Sequence, residues 1–370
     1  MSSSNIEIRV RNLLDQSIVI DGHSDILIPV TAGKMNIAKR IEIPSLNEWK
    51  APPGLDKSPL VDLGFNPHTI YFGCMGQYDI PRWKEGGINS QLCAIYLEED
   101  KLDAPFKKGM EMVYNFHKMI AENDDLVLCT SVQEIRAAKS KGKIGCILSF
   151  EGCEALGEDI RMMDLYHQLG LKVVSLTHTK SNIFSEGCLG INKQGGLSPI
   201  GVKLVNRLQE LDIVIDLVHI GKQAFFEVLE LAKNPVILSH STPTMFSSSL
   251  EEDIVLEGVV SRPRLEIPRD KKMLEALAEN GGVLGLIWIL YKDIDAAVED
   301  IETALNVMGS DHIGLGSDLY GHQFATPGLE DISKLPNLLK ALIKRGHSDD
   351  TLQKFLGGNY LRVFKEVWGN

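Results

Sequence analysis

The sequence has little of several features that mark common classes of function. Lys and Arg number 38 against 50 Asp and Glu, and no basic run occurs, so we expect no nucleic-acid partner. No apolar stretch approaches the roughly 20 residues that span a bilayer, which predicts no membrane partner. The N-terminal residues lack a basic region followed by an apolar core, so we expect no signal peptide. These absences predict a soluble, cytoplasmic protein.

Cysteine is sparse and unpaired along the chain. The six cysteines have no C-x-x-C spacing, and Cys93 and Cys146 lie inside apolar runs. Such cysteines are typical of the reduced core of a cytoplasmic protein. No G-x-G-x-x-G motif follows a predicted strand, so a dinucleotide-binding fold has no support.

Eight short apolar segments, most of them separated by helical patterns, indicate the fold class. This alternation predicts an α/β protein whose parallel strands are joined by right-handed crossovers, and strands this apolar are buried on both faces. We predict a (β/α)8 TIM-type barrel as a single domain over residues 1–370, with a doubly wound open sheet as the alternative. The predicted strands are residues 18–20, 88–97, 144–150, 172–176, 213–218, 235–239, 283–288 and 313–316.

Two segments fall outside the strand–helix rhythm. Residues 26–82 are rich in proline and polar residues and lack clear periodicity, which predicts a long loop after the first strand. A long irregular segment that leaves the catalytic end of a barrel is usually functional, so we interpret it as a lid-like insertion that borders the active site. Residues 329–370 are predicted to form extra C-terminal helices, most clearly over 329–343 and 351–367.

Polar side chains directly follow most of the predicted strands. His23 and Asp25 stand two positions apart, and residues at that spacing in an extended backbone point the same way. In a (β/α)8 barrel the carboxyl ends of the strands share one rim, where the chemistry is located. For any single residue a local hydrogen bond is the simpler interpretation, but the convergence of seven favours a metal site. The seven are His23, Asp25, Glu151, His178, His219, His240 and Asp318.

The ligand types narrow the choice of metal. Imidazole and carboxylate groups without a thiolate suit Zn²⁺ or another divalent transition metal in a hydrolytic site. Three histidines and two carboxylates are too many for one catalytic zinc with an open position. They suit two ions about 3.5–4 Å apart that share a carboxylate and a water molecule.

The strand-end motifs, taken together and in order, resemble those of the membrane (renal) dipeptidase family. The resemblance covers nearly the whole chain. Animal members of the family are secreted and anchored, and because this sequence shows neither signal we expect a bacterial-type soluble member. The resemblance further implies a zinc-dependent dipeptidase with two divalent ions per chain, zinc being favoured. A metal-bridging hydroxide would attack the amide carbonyl of a dipeptide, with D-residues included in the substrate range. The motifs are Asp21-Gly22-His23-Ser24-Asp25, Glu85-Gly86-Gly87, Phe150-Glu151-Gly152, Leu176-Thr177-His178 and residues 215–219, 238–241, 314–318, 328–332 and 357–364.

The resemblance also implies a role for each site residue. His178 would contact the substrate carbonyl and steady the oxyanion. Asp318 would hold the substrate amine and move protons to the leaving nitrogen. Glu151 would act in catalysis as the ligand common to both ions. The implied ligands are His23 and Asp25 for one zinc, His219 and His240 for the other, and Glu151 as the bridge.

The sequence departs from the family pattern on the substrate side. Tyr320 stands where the family has a second acid, and we count it among the substrate-binding residues. Arg264 is our choice for the carboxylate-binding arginine, with Arg262 in reserve, although the asparagine that follows in the family is absent. Hydrolysis is therefore more firmly indicated than dipeptide specificity.

Other functions remain as alternatives. A related barrel metallohydrolase could act on another small amide, such as an N-acyl amino acid or a cyclic amide. A Schiff-base aldolase needs a lysine at a strand end, and no predicted strand ends in lysine. A non-catalytic barrel that binds a small molecule is a weaker alternative, because every ligand position is filled. The expected partners are a small dipeptide substrate and a second copy of the chain in a homodimer.

Overall fold

The structure is a computed structural model that describes residues 3–42, 76–97, 102–190, 195–243, 255–256, 259–260, 270–289, 291–319 and 326–369. In chain order its strands are β1 (Ile20–Asp21), β2 (Ser90–Tyr96), β3 (Leu126–Leu128), β4 (Ile144–Glu151), β5 (Leu171–Ser175), β6 (Val214–Asp216), β7 (Ile237–Ser241), β8 (Val255–Leu256), β9 (Val259–Val260), β10 (Val283–Leu286) and β11 (Ile313–Leu315).

Parallel pairing closes eight of these strands into a barrel in the order β1-β2-β4-β5-β6-β7-β10-β11. Asp21 of β1 pairs with Leu315 of β11 on one side and with Gln91 of β2 on the other, so the first and last barrel strands are neighbours. Each predicted strand overlaps one barrel strand, and the prediction of a (β/α)8 barrel is confirmed. Two features were not predicted: β3, which pairs with the first residues of β4, and the antiparallel pair of β8 and β9.

Helices surround the barrel and follow most of its strands. Ser198 Oγ and Asp270 Oδ1 cap two of them by accepting backbone N–H bonds at 3.1 Å and 2.9 Å, which satisfies donors that a helix start leaves unpaired. The helices are α1 (Ser3–Gln16), α2 (Leu27–Thr31), α3 (Ile80–Gly86), α4 (Pro105–Ala121), α5 (Val132–Ser140), α6 (Met162–Gln168), α7 (Pro199–Glu210), α8 (Lys222–Leu231), α9 (Lys271–Glu279), α10 (Ile294–Met308), α11 (Leu335–Lys344), α12 (Asp349–Gln353) and α13 (Asn359–Trp368).

The helix α13 closes the amino-terminal end of the barrel. Its Arg362 donates to the carbonyls of Gly281 and Asp311, which precede β10 and β11. Its Tyr360 is fully buried, and the hydroxyl donates to the carbonyl of Ser239 in β7 at 3.1 Å. The ring fits inside the barrel because two strand positions and the residue after β1 are glycine, and a Cβ atom at any of the three would collide with it. These positions are Gly22, Gly285 and Gly314.

Two predicted segments differ from the structure in detail. Residues 351–367 form not one helix but α12, a π-helical segment (Lys354–Gly358) and α13. The break allows Gly357 to approach the carbonyl of Ile18 so closely that no side chain would fit there. Residues 26–82 contain α2 and the start of α3, and residues 43–75 lie outside the described part of the chain.

A membrane-spanning helix is not found in the part of the chain that the structure describes. None of the helices there combines the length and the apolar character that crossing a bilayer requires.

Candidate active site

Six of the seven predicted strand-end residues meet in one buried cluster at the carboxyl ends of the barrel strands. Two follow β1, one ends β4, one lies in β7, and the other two follow β6 and β11. All six are buried, although each carries an ionisable side chain. Groups of this kind avoid burial unless they are paired or bind a metal. They are His23, Asp25, Glu151, His219, His240 and Asp318.

The carboxylate of Glu151 lies at the centre of this cluster. Its Oε1 atom is 2.9 Å from Nε2 of His219 and 3.5 Å from Nε2 of His240. Its Oε2 atom is 3.6 Å from Nε2 of His23, and that nitrogen is also 3.6 Å from Oδ2 of Asp25. The two oxygens of one carboxylate therefore face two different sets of ligand-type atoms.

These side chains form overlapping groups that could each hold a metal ion. Within each group the ligand atoms lie within 4.8 Å of one another. Glu151 belongs to two groups, which gives the cluster the form of a site for two ions with one shared carboxylate. The groups are Glu151, His219 and His240; His23, Asp25 and Glu151; and His23, His240 and Asp318.

Unsatisfied polar atoms indicate that the residues fit a metal. Nε2 of His23 and Oδ1 of Asp25 are buried and have no hydrogen-bond partner. A buried polar atom without a partner costs about 1–3 kcal/mol, and a cation between these atoms would remove that cost. Imidazole and carboxylate are ligands that Zn²⁺ and similar divalent ions accept.

The electrostatics of the cluster also favour a cation. Burial lowers the pKa of His23, but the charges of Glu151, Asp25 and Asp318 outweigh burial and raise this pKa to about 10. Burial raises the pKa of Asp25, and repulsion from Glu151 raises it further. The carboxylates near His23 thus attract a positive charge, and a metal ion would compete there with a proton.

Two residues of the cluster have strained backbones. His219 has φ +58° and Asp318 has φ +57°. Both lie in the left-handed region of backbone conformation, which residues other than glycine rarely adopt. Strain of this kind costs about 1–3 kcal/mol and persists only where the surroundings enforce it. The fold therefore uses stabilisation energy to point these two side chains into the cluster.

The seventh predicted residue, His178, lies beside the cluster rather than within it. Its ring centroid is 4.6 Å from that of His219, and the side chain is partly exposed. On its other side the ring of Tyr96 lies 4.8 Å away, edge to face. Sequence reasoning missed Tyr96, although it is the last residue of β2 and its position at a strand end was a usable signal.

Buried polar residues beneath the cluster were missed as well. The hydroxyl of Tyr78 lies 3.0 Å from Oδ2 of Asp21 and 3.1 Å from the carbonyl of His23. The amide of Gln91 donates to the same two residues at 3.1 Å and 3.2 Å. No motif points to Tyr78, because it belongs to the irregular passage before α3. Arg262, Arg264 and Tyr320 lie outside the described residues.

A barrel whose strand ends gather imidazoles around a shared carboxylate is the arrangement of a metallohydrolase. The family model described as membrane dipeptidase, peptidase family M19, matches residues 7–369. The chain belongs to this family, and the predicted class of dipeptidase is confirmed.

Curated relatives carry the same class of name. Dipeptidase aclJ of Aspergillus oryzae is 30% identical over 314 residues, which cover 79% of this chain and 70% of the relative. Dipeptidase tcpJ of Claviceps purpurea is 26% identical over 311 residues, which cover 79% of this chain and 69% of the relative.

Solved structures share the fold. A dipeptidase of family M19 superposes with a TM-score of 0.75 at 21% identity, over 96% of this chain and 99% of that chain. A second structure is a metallopeptidase from Rhodobacter sphaeroides, liganded with a phosphinate mimic of the dipeptide L-Ala-D-Ala. It superposes with a TM-score of 0.73 at 21% identity, over 95% of this chain and 100% of that chain. Both likenesses agree with the barrel described above.

Proposed function

We propose that this protein hydrolyses dipeptides, including some with a D-residue, with the help of two divalent metal ions, of which zinc is favoured. The observation that carries the proposal is the position of Glu151, whose two oxygens face two separate sets of ligand atoms. Membership of the dipeptidase family and the bound dipeptide mimic of the Rhodobacter sphaeroides relative support the substrate class.

Each metal would be held by residues from more than one strand of the barrel. When bound, the pair of ions would lower the pKa of a shared water and polarise the scissile carbonyl. The negative charge of Glu151 would reduce the repulsion between the two dications. The proposed ligands are His23 and Asp25 for one ion, His219 and His240 for the other, and Glu151 for both.

Two further side chains would act on the substrate. Oδ1 of Asp318 is 3.8 Å from Nε2 of His23, so this carboxylate reaches the edge of the metal cluster. There it can bind the ammonium group of a dipeptide and transfer a proton to the leaving nitrogen as the C–N bond breaks. His178, partly exposed beside His219, can donate a hydrogen bond to the carbonyl oxygen as negative charge develops on it.

Recognition of the free carboxylate is the part that lies outside the described residues. We propose Arg264 for this role, with Arg262 in reserve, and Tyr320 as a further substrate contact. A guanidinium binds a carboxylate through two parallel hydrogen bonds, which suits a short substrate with charges at both ends. We also propose that residues 26–82 border the site, and Tyr78 supports this because its hydroxyl contacts the carbonyl of His23.

The first prediction concerns metal content. Purified protein should contain about two divalent ions per chain, and a chelator should remove both the ions and the activity. If free metal exceeds its dissociation constant a thousandfold, its removal should cost about 4 kcal/mol of stability and lower Tm. Elemental analysis and thermal unfolding measure these effects.

Two histidine variants provide the comparison. His219→Ala should bind less metal. His117→Ala should not, because His117 is hydrogen-bonded to the Leu169 carbonyl. Metal-free protein that gains no activity with Zn²⁺, Mn²⁺ or Co²⁺ would contradict the proposal.

The second prediction concerns the substrate. Dipeptides with L,L and L,D configuration should be hydrolysed, whereas tripeptides and dipeptides with a blocked carboxyl group should be poor substrates. Arg264→Ala should mainly raise KM, because the carboxylate is bound alike in the ground state and the transition state. Turnover of N-acyl amino acids or cyclic amides, with none of dipeptides, would support the metallohydrolase proposal and reject the dipeptidase proposal.

The cytoplasmic location and the homodimer stay predictions.

A further inference from the structure

Two buried aspartates outside the metal-binding groups occupy matching positions in the barrel. Asp21 is the last residue of β1 and Asp216 is the last residue of β6, and the two residues are 0% and 3% exposed. Oδ1 of Asp21 accepts a hydrogen bond from the backbone N–H of Ser317 at 2.7 Å. Oδ1 of Asp216 accepts one from the backbone N–H of Val218 at 3.0 Å. Each aspartate thus holds a backbone N–H group of another part of the site.

The residues that donate these N–H groups, Ser317 and Val218, each stand directly before a cluster residue with a strained backbone. Ser317 precedes Asp318 and Val218 precedes His219, the two cluster residues with positive φ. A hydrogen bond from a backbone N–H to a carboxylate is charge-assisted and stronger than one between neutral groups. Such a bond, made just before a left-handed residue, helps to keep that residue in its strained conformation.

Asp21 is held in place by side chains from three parts of the chain. Its Oδ2 accepts hydrogen bonds from Oγ of Ser317 at 2.7 Å, the hydroxyl of Tyr78 at 3.0 Å and the amide of Gln91 at 3.1 Å. The hydroxyl of Tyr78 also lies 2.5 Å from Oγ of Ser317. The N–H of Ser317, the residue before Asp318, is therefore bound by a carboxylate that three other side-chain groups also contact.

Asp216 acts on the other side of the cluster. Its Oδ1 also accepts the backbone N–H of Ser239 at 3.0 Å, and Oγ of Ser239 lies 3.0 Å from Nδ1 of His240. A hydrogen bond at Nδ1 fixes the ring so that Nε2 faces Glu151. Through one carboxylate, Asp216 orients both His219 and His240.

We propose that Asp21 and Asp216 are positioning residues with separate tasks. Asp21, with Tyr78, holds Asp318 in place for proton transfer, whereas Asp216 holds His219 and His240 in place for metal binding. The part that concerns proton transfer rests on the proposed function. The part that concerns backbone geometry and metal binding stands without it.

The test compares two substitutions that each remove one negative charge with little change in shape. Asp21→Asn should keep two metals and leave KM within about twofold, while kcat falls about 10- to 100-fold. Asp216→Asn should weaken metal binding about 10- to 100-fold, measured with the metal alone by competition against a chelator. These ranges are those found when groups that orient metal ligands are altered. Tyr78→Phe should resemble Asp21→Asn with a smaller effect, and it supplies the measurement if Asp21→Asn does not fold.

A second readout is independent of turnover. Amide hydrogen exchange of the Ser317 N–H should be faster in Asp21→Asn, and exchange of the Val218 and Ser239 N–H groups should be faster in Asp216→Asn. If the wild type hydrolyses no dipeptide, the proposed function fails, and metal affinity and exchange still decide the positioning roles. Equal loss of metal in both variants, or exchange at these amides that does not change, would overturn the proposal.

Discussion

Replacing Glu151 with glutamine should release both metal ions and lower the rate of hydrolysis about a thousandfold. Glutamine keeps the size of the side chain but removes the negative charge of the carboxylate. In the wild type, one oxygen of that carboxylate faces His219 and His240, and the other faces His23. Breaking a buried charge pair costs about 3–5 kcal/mol, and about 4 kcal/mol corresponds to a thousandfold change. Elemental analysis and kcat/KM for a dipeptide measure the two effects together.

A nearby glutamate supplies the matched control. Glu154 is also buried and lies three residues further along the chain, but its carboxylate accepts a hydrogen bond from Asn182 at 2.9 Å rather than facing the cluster. Glu154→Gln should therefore retain its metals. Full metal content and normal turnover in Glu151→Gln would show that this residue is not the shared ligand.

Replacing Asp318 with asparagine should lower kcat by about 100- to 10,000-fold, the range for loss of a general acid–base group. Asparagine can still accept hydrogen bonds, but it cannot deliver a proton to the leaving nitrogen as the C–N bond breaks. Metal content should stay close to that of the wild type, because Asp318 belongs to neither of the two groups that share Glu151. Steady-state kinetics on a metal-loaded variant separate kcat from KM.

The control for this substitution is an aspartate at the opposite, amino-terminal end of the barrel. Asp311 precedes β11 and pairs with Lys354 at 2.9 Å, away from the cluster. Asp311→Asn should leave kcat within about twofold, as is usual for surface substitutions. A kcat for Asp318→Asn as high as that of Asp311→Asn would remove Asp318 from the mechanism.

The barrel was predictable because its signal is local in the sequence. Strands such as residues 144–150 are apolar throughout, as burial on both faces requires, and helical patterns separate most of them. The cluster was predictable for the same reason, since Glu151 and His240 lie within or directly at the end of such a strand. The short β3 was missed because its three residues, Leu126–Leu128, follow a helix closely and give no period of their own.

The supports of the cluster could not be predicted, because they depend on contacts between distant residues. Tyr78 reaches Asp21 from a passage with no periodicity. The positive φ of His219 and Asp318 has no sequence signal either, because such backbones are usually occupied by glycine. Only the folded barrel shows that Asp21 accepts the N–H of Ser317 and that Asp216 accepts the N–H of Val218.

The contact of Tyr360 with the strand glycines has a consequence for biosynthesis. The barrel interior is completed by a helix that is translated after every barrel strand, and β1 pairs with β11, the last barrel strand to be made. The barrel therefore cannot close before β11 has been synthesised. Because long-range closure of this kind folds slowly, we expect the metal site to form in the completed barrel rather than in the growing chain.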